Sequence, residues 1–166
     1  MLMWLLLLRK ITSFKRDDRG LQLVELAIAL PVLILLFAAV AEFGRYFEAY
    51  TTLAKGSRVA VRYLATARAG GCDDLNAKNL VVYGNLAGTG SPIVNGLTVN
   101  NVTITRRNEA GAVTSGFPAT VTIEITNFKH TPIFDLGRLM KTSLTMNIDI
   151  KPSVTMRYLL TQSVPC

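Results

Sequence analysis

An apolar run from Leu21 to Ala41 constrains this chain more than any other feature of its sequence. Only Gln22 and Glu25 interrupt the run. Wound into a helix, a segment of about 20 residues is long enough to cross the hydrocarbon core of a bilayer. The sequence therefore predicts one transmembrane helix over Leu21–Ala41, with the lipid bilayer as a partner. The rest of the 166 residues suffices for one modest domain.

Two residues inside the run are unusual for a membrane segment. Glu25 is a carboxylate near the start of the run, and an ionisable side chain surrounded by hydrocarbon is costly enough to indicate a function. The alternative is that Glu25 lies at the interface and extends to water. Pro31 would break a soluble helix, but in a membrane helix we expect a kink whose freed carbonyl finds a local partner.

The net charge of +7 is compatible with nucleic acid or anionic lipid as a partner. Five basic and two acidic residues lie within residues 1–20, and the remaining charge is spread thinly. We find no basic run with interleaved aromatic residues, which a nucleic-acid groove would need. We therefore expect no nucleic-acid partner. Because basic residues lie on both sides of the apolar run, charge counting barely favours a cytoplasmic N-terminus.

The helical pattern continues beyond the apolar run, as far as the stop at Gly70-Gly71. Apolar and aromatic residues recur there at steps of three and four, which is typical of an amphipathic helix: Phe43, Tyr46, Phe47, Tyr50, Leu53, Ala54, Ala60, Val61 and Leu64. We expect residues 42–71 to extend the transmembrane helix. Lys55, Arg58 and Arg62 share another face, which we interpret as solvated rather than anion-binding.

Residues 72–166 change character and predict a small β-rich domain. The segment Cys72–Pro92 reads as loop, with a short helix around Leu75–Val82. Alternating apolar and polar residues then mark half-buried strands: Leu97–Thr105, Ala119–Thr126, Thr142–Ile150 and Ser153–Leu159. A hairpin loop at 109–116 joins the first two. The predicted fold class is α+β, with a long N-terminal transmembrane and amphipathic helix followed by a small antiparallel β-sheet domain.

The chain has two cysteines, Cys72 and Cys166. If the C-terminal region is exported, its compartment is oxidising and we expect a disulfide between them. Closing a loop of about 95 residues would restrict the unfolded state by roughly 4–5 kcal/mol in the chain-entropy account. The alternative is two unpaired thiols in a reducing compartment.

The sequence shows no pattern of residues that points to catalysis. His130 is the only histidine, and its Lys-His-Thr-Pro context indicates a surface loop. There is no phosphate loop, dinucleotide fingerprint or metal-spaced Cys/His set. Asp73-Asp74 lacks the ligand spacing of a calcium loop, and Asn101-Val102-Thr103 is a sequon that matters only in a glycosylating pathway. We expect no enzyme, and no catalytic, cofactor or metal site.

The junction before the apolar run is the most specific signature. Gly20 precedes Glu25 by five residues, at the start of a long apolar helix, and this pattern resembles the class III signal of type IV prepilins. The segments Ala41-Glu42-Phe43-Gly44-Arg45 and Ala54–Ala65 extend the likeness. Over residues 15–65 the chain resembles the TadE-like pseudopilins of tight-adherence (Flp/Tad) pilus systems. It departs from them at Leu26, where many members have an aromatic residue.

This resemblance implies a pilin-like, structural and non-catalytic subunit used to assemble a type IV-like pilus that supports adherence. It implies that residues 1–20 are a leader, cleaved between Gly20 and Leu21 by a prepilin peptidase at the cytoplasmic face of the inner membrane. The domain from residue 72 would then be periplasmic, or extracellular once in a pilus. The other implied partners are pilins and pseudopilins of the same system and the inner-membrane assembly platform. In a helix bundle, Glu25 would neutralise the new ammonium at Leu21 of a neighbouring chain.

Two alternatives remain open at this stage. Ala39-Val40-Ala41 has the small-x-small pattern of an ordinary signal peptidase site, and cleavage there would release a soluble periplasmic binding module that begins at Glu42. The chain could also be an uncleaved, signal-anchored domain of unknown activity. The first residue of the mature protein distinguishes the three hypotheses. It is Leu21 for the pilin-like subunit, Glu42 for the soluble module and Met1 for the uncleaved anchor.

Overall fold

A computed structural model of the chain describes residues 18–68, 71–134, 137, 141 and 147–160. Within these ranges the elements are two α-helices, one 3-10 turn and three β-strands. The chain divides into two compact units, one up to Ala41 and the other from Glu42 onward. The fold class is α+β, as predicted from the sequence.

Helix α1 spans Asp18–Ala65 and contains Pro31 without interruption. It ends at Ala65, a few residues before the predicted stop at Gly70-Gly71. Just after this end, the N–H groups of Thr66 and Ala67 donate to carbonyls three residues earlier, at 3.2 and 3.3 Å. This tightening satisfies carbonyls that would otherwise lack partners at the end of a helix. By length and composition, α1 is apolar enough to cross a membrane. The predicted kink at Pro31 stays a prediction.

In the second unit, α1 packs against helix α2, which spans Asp74–Tyr83. The main buried residues of the two helices are Leu53, Ala60, Val61 and Leu64 from α1, and Ala77, Val81 and Val82 from α2. The two helices approach closely at Gly56, where a Cβ would make an ordinary contact with the carbonyl oxygen of Val81 at 3.4 Å. Gly84 ends α2 in a left-handed conformation, with φ of 72° and its N–H donated to the Leu80 carbonyl. The short helix predicted in this region is confirmed.

Three antiparallel strands complete the core, in the order β1 (Val102–Arg107), β2 (Thr120–Ile125) and β3 (Ser153–Arg157). Val121, Ile123 and Ile125 are fully buried, as the alternation in the sequence predicts. Strand β1 begins later than expected because a 3-10 turn occupies Val99–Asn101. Most of the strand predicted at 142–150 lies outside the described residues, although Asp149 forms a bridge with Lys129.

The end of β3 connects the sheet to the end of α1. The N–H of Leu159 donates to the Ala65 carbonyl at 2.9 Å, and the N–H of Tyr158 donates to the Ala119 carbonyl at 2.8 Å. The hydroxyl of Tyr158 also donates to the Ala67 carbonyl. The bonds to Ala65 and Ala67 supply partners to carbonyls at and just beyond the end of α1, so the ends of the helix and of β3 are attached to each other.

Candidate functional site

The predicted cleavage site lies close to Asp18, the first residue of α1 that the structure describes. Gly20 and Leu21 are exposed, as is Glu25 one turn further on. A Cβ built at Gly20 would meet no atom within 4 Å, so the fold of the chain does not itself require glycine there. Within the part of the chain that the structure describes, Glu25 makes no hydrogen bond or ion pair. The structure thus leaves all three residues available to an external partner.

The second unit begins with a buried carboxylate that the sequence did not single out as a site. The side chain of Glu42 is fully buried. Its Oε1 accepts the backbone N–H groups of Ile133 at 2.8 Å and Phe134 at 3.0 Å. Its Oε2 lies 3.1 Å from Nε2 of His130. Glu42 therefore attaches the segment 130–134 to α1 at the point where the second unit begins.

The environment of Glu42 shifts its pKa in two directions. Burial raises the pKa, because a desolvated carboxylate is less stable when charged. The N–H of Phe134 lowers it, followed by the ring of His130 and the N–H of Ile133. The charge of Arg45, whose Nη1 lies 3.2 Å from Oε1, lowers it further. The net pKa lies below the ordinary 4.5, so Glu42 is ionised at neutral pH.

His130 corrects an interpretation made from the sequence. We expected a surface loop, but the side chain is only 7% exposed. Its ring packs edge-on against Tyr46, with the ring centroids 5.8 Å apart. Because an ionised carboxylate only accepts hydrogen bonds, Nε2 carries the proton that is donated to Glu42. The interpretation failed because the burial of His130 comes from a residue 88 positions away, which no local pattern can reveal.

The aromatic residues that follow the apolar run do not all share one environment. Tyr46 packs against the core with Leu53. Phe43, Phe47 and Tyr50 are instead 63%, 58% and 40% exposed, and we call these three residues the aromatic ridge. Their spacing of four and three places them on one side of α1. The basic face that we interpreted as solvated is indeed exposed at Lys55, Arg58 and Arg62.

A lateral cleft of about 410 Å³ opens beside the same stretch of helix. Helix α1 lines it with Arg45, Glu48, Ala49 and Thr52, and the chain segments 93–96 and 128–131 form the remaining walls. Ala49, Phe128 and His130 contribute apolar surface to the lining, whereas Arg45 and Lys129 contribute positive charge and Glu48 contributes negative charge.

Other residues considered from the sequence are engaged in structural contacts. Asp73 accepts the hydroxyl hydrogen of Tyr63 at 3.2 Å, and Asp74 pairs with the guanidinium of Arg106. The side-chain amide of Asn101 donates to the carbonyls of residues 126 and 127 at 3.2 and 3.0 Å. The side-chain nitrogen of Asn101, which a glycan would have to modify, is thus already engaged in two hydrogen bonds. Among the described residues, no group of three His, Cys, Asp or Glu side chains is placed to hold a metal ion.

The described residues do not test the predicted disulfide between Cys72 and Cys166. Cys72 lies at the loop before α2, and Cys166 lies outside the described part of the chain. The pairing stays a prediction.

The fold and the exposed junction together define a class of protein: a small α+β domain carried by a long N-terminal helix that is a candidate membrane anchor. Residues 20–62 match the family model described as TadE-like protein. Over that stretch, which covers most of α1 and includes Gly20, Glu25 and Glu42, the resemblance expected from the sequence is confirmed. The match supports involvement in a Tad pilus. No curated protein and no solved structure matches the chain.

Proposed function

We propose that the protein is a minor pilin or pseudopilin of a Tad-type pilus, structural and non-catalytic, which supports adherence. The observation that carries this proposal is the TadE-like match over residues 20–62, since it coincides with a helix that is apolar enough to span a membrane. The proposed partners are a prepilin peptidase, other pilins of the same system and an inner-membrane assembly platform.

The proposed cut between Gly20 and Leu21 is supported by the exposure of both residues and by the open space around Gly20. The competing bond, between Ala41 and Glu42, lies about six turns after Asp18 within α1, and the side chain of Glu42 is fully buried. A peptidase would have to unwind a continuous helix and expose Glu42 to reach that bond. These observations favour cleavage after Gly20.

In the proposed topology, the N-terminus is cytoplasmic and the β-rich domain is periplasmic. Cleavage removes a basic leader and creates an ammonium at Leu21, one helical turn before Glu25. An unpaired charge within hydrocarbon costs roughly several kcal/mol. The Leu21 ammonium of a neighbouring chain is therefore a favourable partner for the Glu25 carboxylate. The lack of a partner for Glu25 among the described residues supports this role.

The non-catalytic assignment is supported by the engagement of the one histidine. Although His130 also lines the lateral cleft, its Nε2 is bonded to Glu42 and its ring packs against Tyr46. A general base needs a nitrogen that reaches a substrate proton within hydrogen-bond distance, and the bond to Glu42 already occupies Nε2.

One observation favours the second candidate, a soluble periplasmic binding module. The second compact unit begins at Glu42, which is the residue that an ordinary signal peptidase would expose after Ala39-Val40-Ala41. The lateral cleft would then be a candidate ligand site. Cleavage inside a continuous helix weighs against this candidate.

N-terminal sequencing of the chain purified from its native membrane tests the proposal. We expect the mature protein to begin at Leu21. A mature protein that begins at Glu42 would establish the soluble module, and one that begins at Met1 would establish an uncleaved anchor. Fractionation of sheared pili then tests assembly, because a minor pilin is recovered in the filaments.

A further inference from the structure

We propose that the solvent-facing side of the three-stranded sheet binds an anionic polysaccharide. The inference deepens the role in adherence and in that respect rests on the proposed function. All the residues that carry it belong to the second unit. It names a surface and the chemical class of the ligand, which is a polymer of hydroxyl-rich sugars that carry negative charge.

The solvent-facing side of the sheet is a regular array of polar side chains, which we call the outer face. Residues that pair directly across neighbouring strands point to the same side of a sheet. The register therefore arranges the outward residues in three rows: Arg107–Thr120–Arg157, Thr105–Thr122–Thr155 and Thr103–Glu124–Ser153. All of these side chains are exposed or half-buried. The outer face thus offers hydroxyl groups and charge to a ligand.

The first row places an arginine on each side of a threonine. Thr120 pairs with Arg107 of β1 and with Arg157 of β3. Within the described part of the chain, neither arginine forms an ion pair, and this includes the exposed Glu109 in the adjacent hairpin loop. Nη1 of Arg107 donates to the Gly111 carbonyl at 2.9 Å, which uses one of the five N–H donors of the guanidinium. The row therefore presents uncompensated positive charge to an anion.

The threonines of the other rows supply hydroxyl groups that both donate and accept hydrogen bonds. The Oγ1 atoms of Thr122 and Thr155 lie 2.8 Å apart, and those of Thr103 and Thr126 lie 3.0 Å apart. In each pair one hydroxyl donates to the other, so the accepting hydroxyl keeps its own hydrogen for a ligand. Sugar hydroxyls have the same dual capacity. The rows therefore match a ligand that carries many hydroxyl groups.

The size of the outer face favours a polymer over a small anion. Each residue of a strand rises about 3.4 Å, so three rows extend over about 14 Å. The arginines occupy one end of this length and Glu124 occupies the other. A ligand that uses both ends and the hydroxyls between them is therefore an extended chain.

The distribution of charge favours a polysaccharide over a nucleic acid. Glu124 accepts hydrogen bonds from sugar hydroxyls, whereas it repels the closely spaced phosphates of a nucleic acid. Beyond the third row, Lys151 pairs with Asp149 at 2.8 Å and adds no net charge. None of the residues in the three rows is aromatic, so single-stranded bases have no ring there on which to stack. Two cations among hydroxyls thus fit a sugar polymer of moderate charge.

Binding of the full-length chain to immobilised alginate tests this inference, because every sugar of alginate carries a carboxylate and hydroxyl groups. The chain is kept in micelles of a neutral detergent at about 0.15 M ionic strength. We expect saturable binding to alginate, and markedly weaker binding to neutral dextran and to double-stranded DNA. A failure to bind alginate would overturn the proposal. Equal or tighter binding to dextran would exclude the role of charge, and equal or tighter binding to DNA would exclude a polysaccharide as the favoured partner.

Charge variants show whether the outer face is the binding surface. Arg157→Gln removes an exposed guanidinium that has no bonded partner in the described chain, so the circular dichroism spectrum should be unchanged. We expect alginate binding to weaken about fivefold, the upper range for one exposed ion pair. Arg58→Gln is the matched control, since Arg58 is an exposed arginine on α1. Equal losses in the two variants would indicate attraction by overall charge and would contradict the assignment to the sheet.

A threonine variant tests the hydroxyl groups without a change of charge. Thr155→Val keeps a β-branched side chain that suits a strand and removes one hydroxyl from the second row. We expect alginate binding to weaken about fivefold, as for the loss of one hydrogen bond, with an unchanged circular dichroism spectrum. Thr89→Val, at an exposed position in the loop after α2, should bind as the wild type does. Unchanged binding in Thr155→Val would refute the hydroxyl contact.

N-terminal sequencing of the chain from its native membrane separates this inference from the proposed function. A mature Leu21 terminus in a chain that does not bind alginate refutes the polysaccharide site alone. A mature Glu42 terminus refutes the pilin function, whatever the alginate measurements show.

Discussion

Glu42 and His130 are 88 positions apart in the sequence, yet their side chains meet at 3.1 Å and both are buried. The contact joins the start of the second unit to a segment that follows β2. Because Oε1 of Glu42 also accepts two consecutive backbone N–H groups and the Nη1 of Arg45, one carboxylate accepts hydrogen bonds from four donors. Hydrogen bonds to a charged acceptor are stronger than those between neutral groups, so their loss is costly.

Replacing Glu42 by Ala should loosen the segment 130–134. A hydrogen bond to a charged group contributes roughly 1.5–3 kcal/mol, so we expect the amides of Ile133 and Phe134 to exchange their hydrogens roughly 10- to 150-fold faster. Hydrogen–deuterium exchange of the full chain in micelles measures this. Glu48→Ala is the control, since Glu48 is an exposed carboxylate on the same helix. Equal protection in the two variants would contradict the role given to Glu42.

The stability of the second unit should fall in acid partly because of Glu42. Its folded pKa lies below 4.5, so its stabilising contribution is complete above the unfolded pKa and is lost as the pH falls through the folded pKa. The hydrogen bond from Lys151 lowers the pKa of Asp149 as well, and its contribution has the same sign. We therefore expect the thermal midpoint to drop less between pH 7 and pH 3 in Glu42→Ala than in the wild type. Glu48→Ala should keep the wild-type drop, and an unchanged drop in Glu42→Ala would exclude Glu42 as a source.

Local periodicity was sufficient to predict the two helices and the three described strands, although it missed the 3-10 turn before β1. The three- and four-residue steps after Ala41 predicted a helix, and the two-residue alternation in β2 correctly placed Val121, Ile123 and Ile125 on a buried face. Both patterns reflect short-range geometry, because the direction of a side chain follows from the rise and twist of its own element. The exposed basic face at Lys55, Arg58 and Arg62 follows from the same geometry.

Long-range packing determined what the sequence could not predict. Two neighbouring stripes on α1 have helical spacing, one through Tyr46 and Leu53 and the other through Phe43 and Phe47. Periodicity does not tell which of them faces the core. The sheet and the loops pack against the stripe through Tyr46 and Leu53. The stripe through Phe43 and Phe47 therefore stays exposed, as part of the aromatic ridge. His130 was assigned to the surface for a similar reason, since its acceptor is remote in sequence.

Substitution of Gly20 should reduce cleavage by the peptidase without changing the fold. Space around this position is open, so a larger side chain is tolerated by the described chain. We expect Gly20→Leu to keep the helical content and to reduce the product that begins at Leu21 at least tenfold. Gly44 is also in open space within α1, and Gly44→Leu should be processed normally. Quantitative N-terminal sequencing checks both, and normal processing of Gly20→Leu would remove Gly20 as the scissile position.

Replacing Glu25 by Ala should leave cleavage largely intact but impair assembly. The residue lies beyond the proposed scissile bond and is exposed, with no bonded partner in the part of the chain that the structure describes. Its proposed partner, the Leu21 ammonium of a neighbouring chain, exists only after cleavage, so the loss should appear at the later step. We expect the amount of chain recovered in sheared pili to fall at least tenfold, which corresponds to about 1.4 kcal/mol. Glu109→Ala, which removes an exposed carboxylate outside both the apolar run and the lateral cleft, should enter pili normally. Normal recovery of Glu25→Ala in pili would rule out the charge pairing, because nothing else in the described chain compensates for the missing carboxylate.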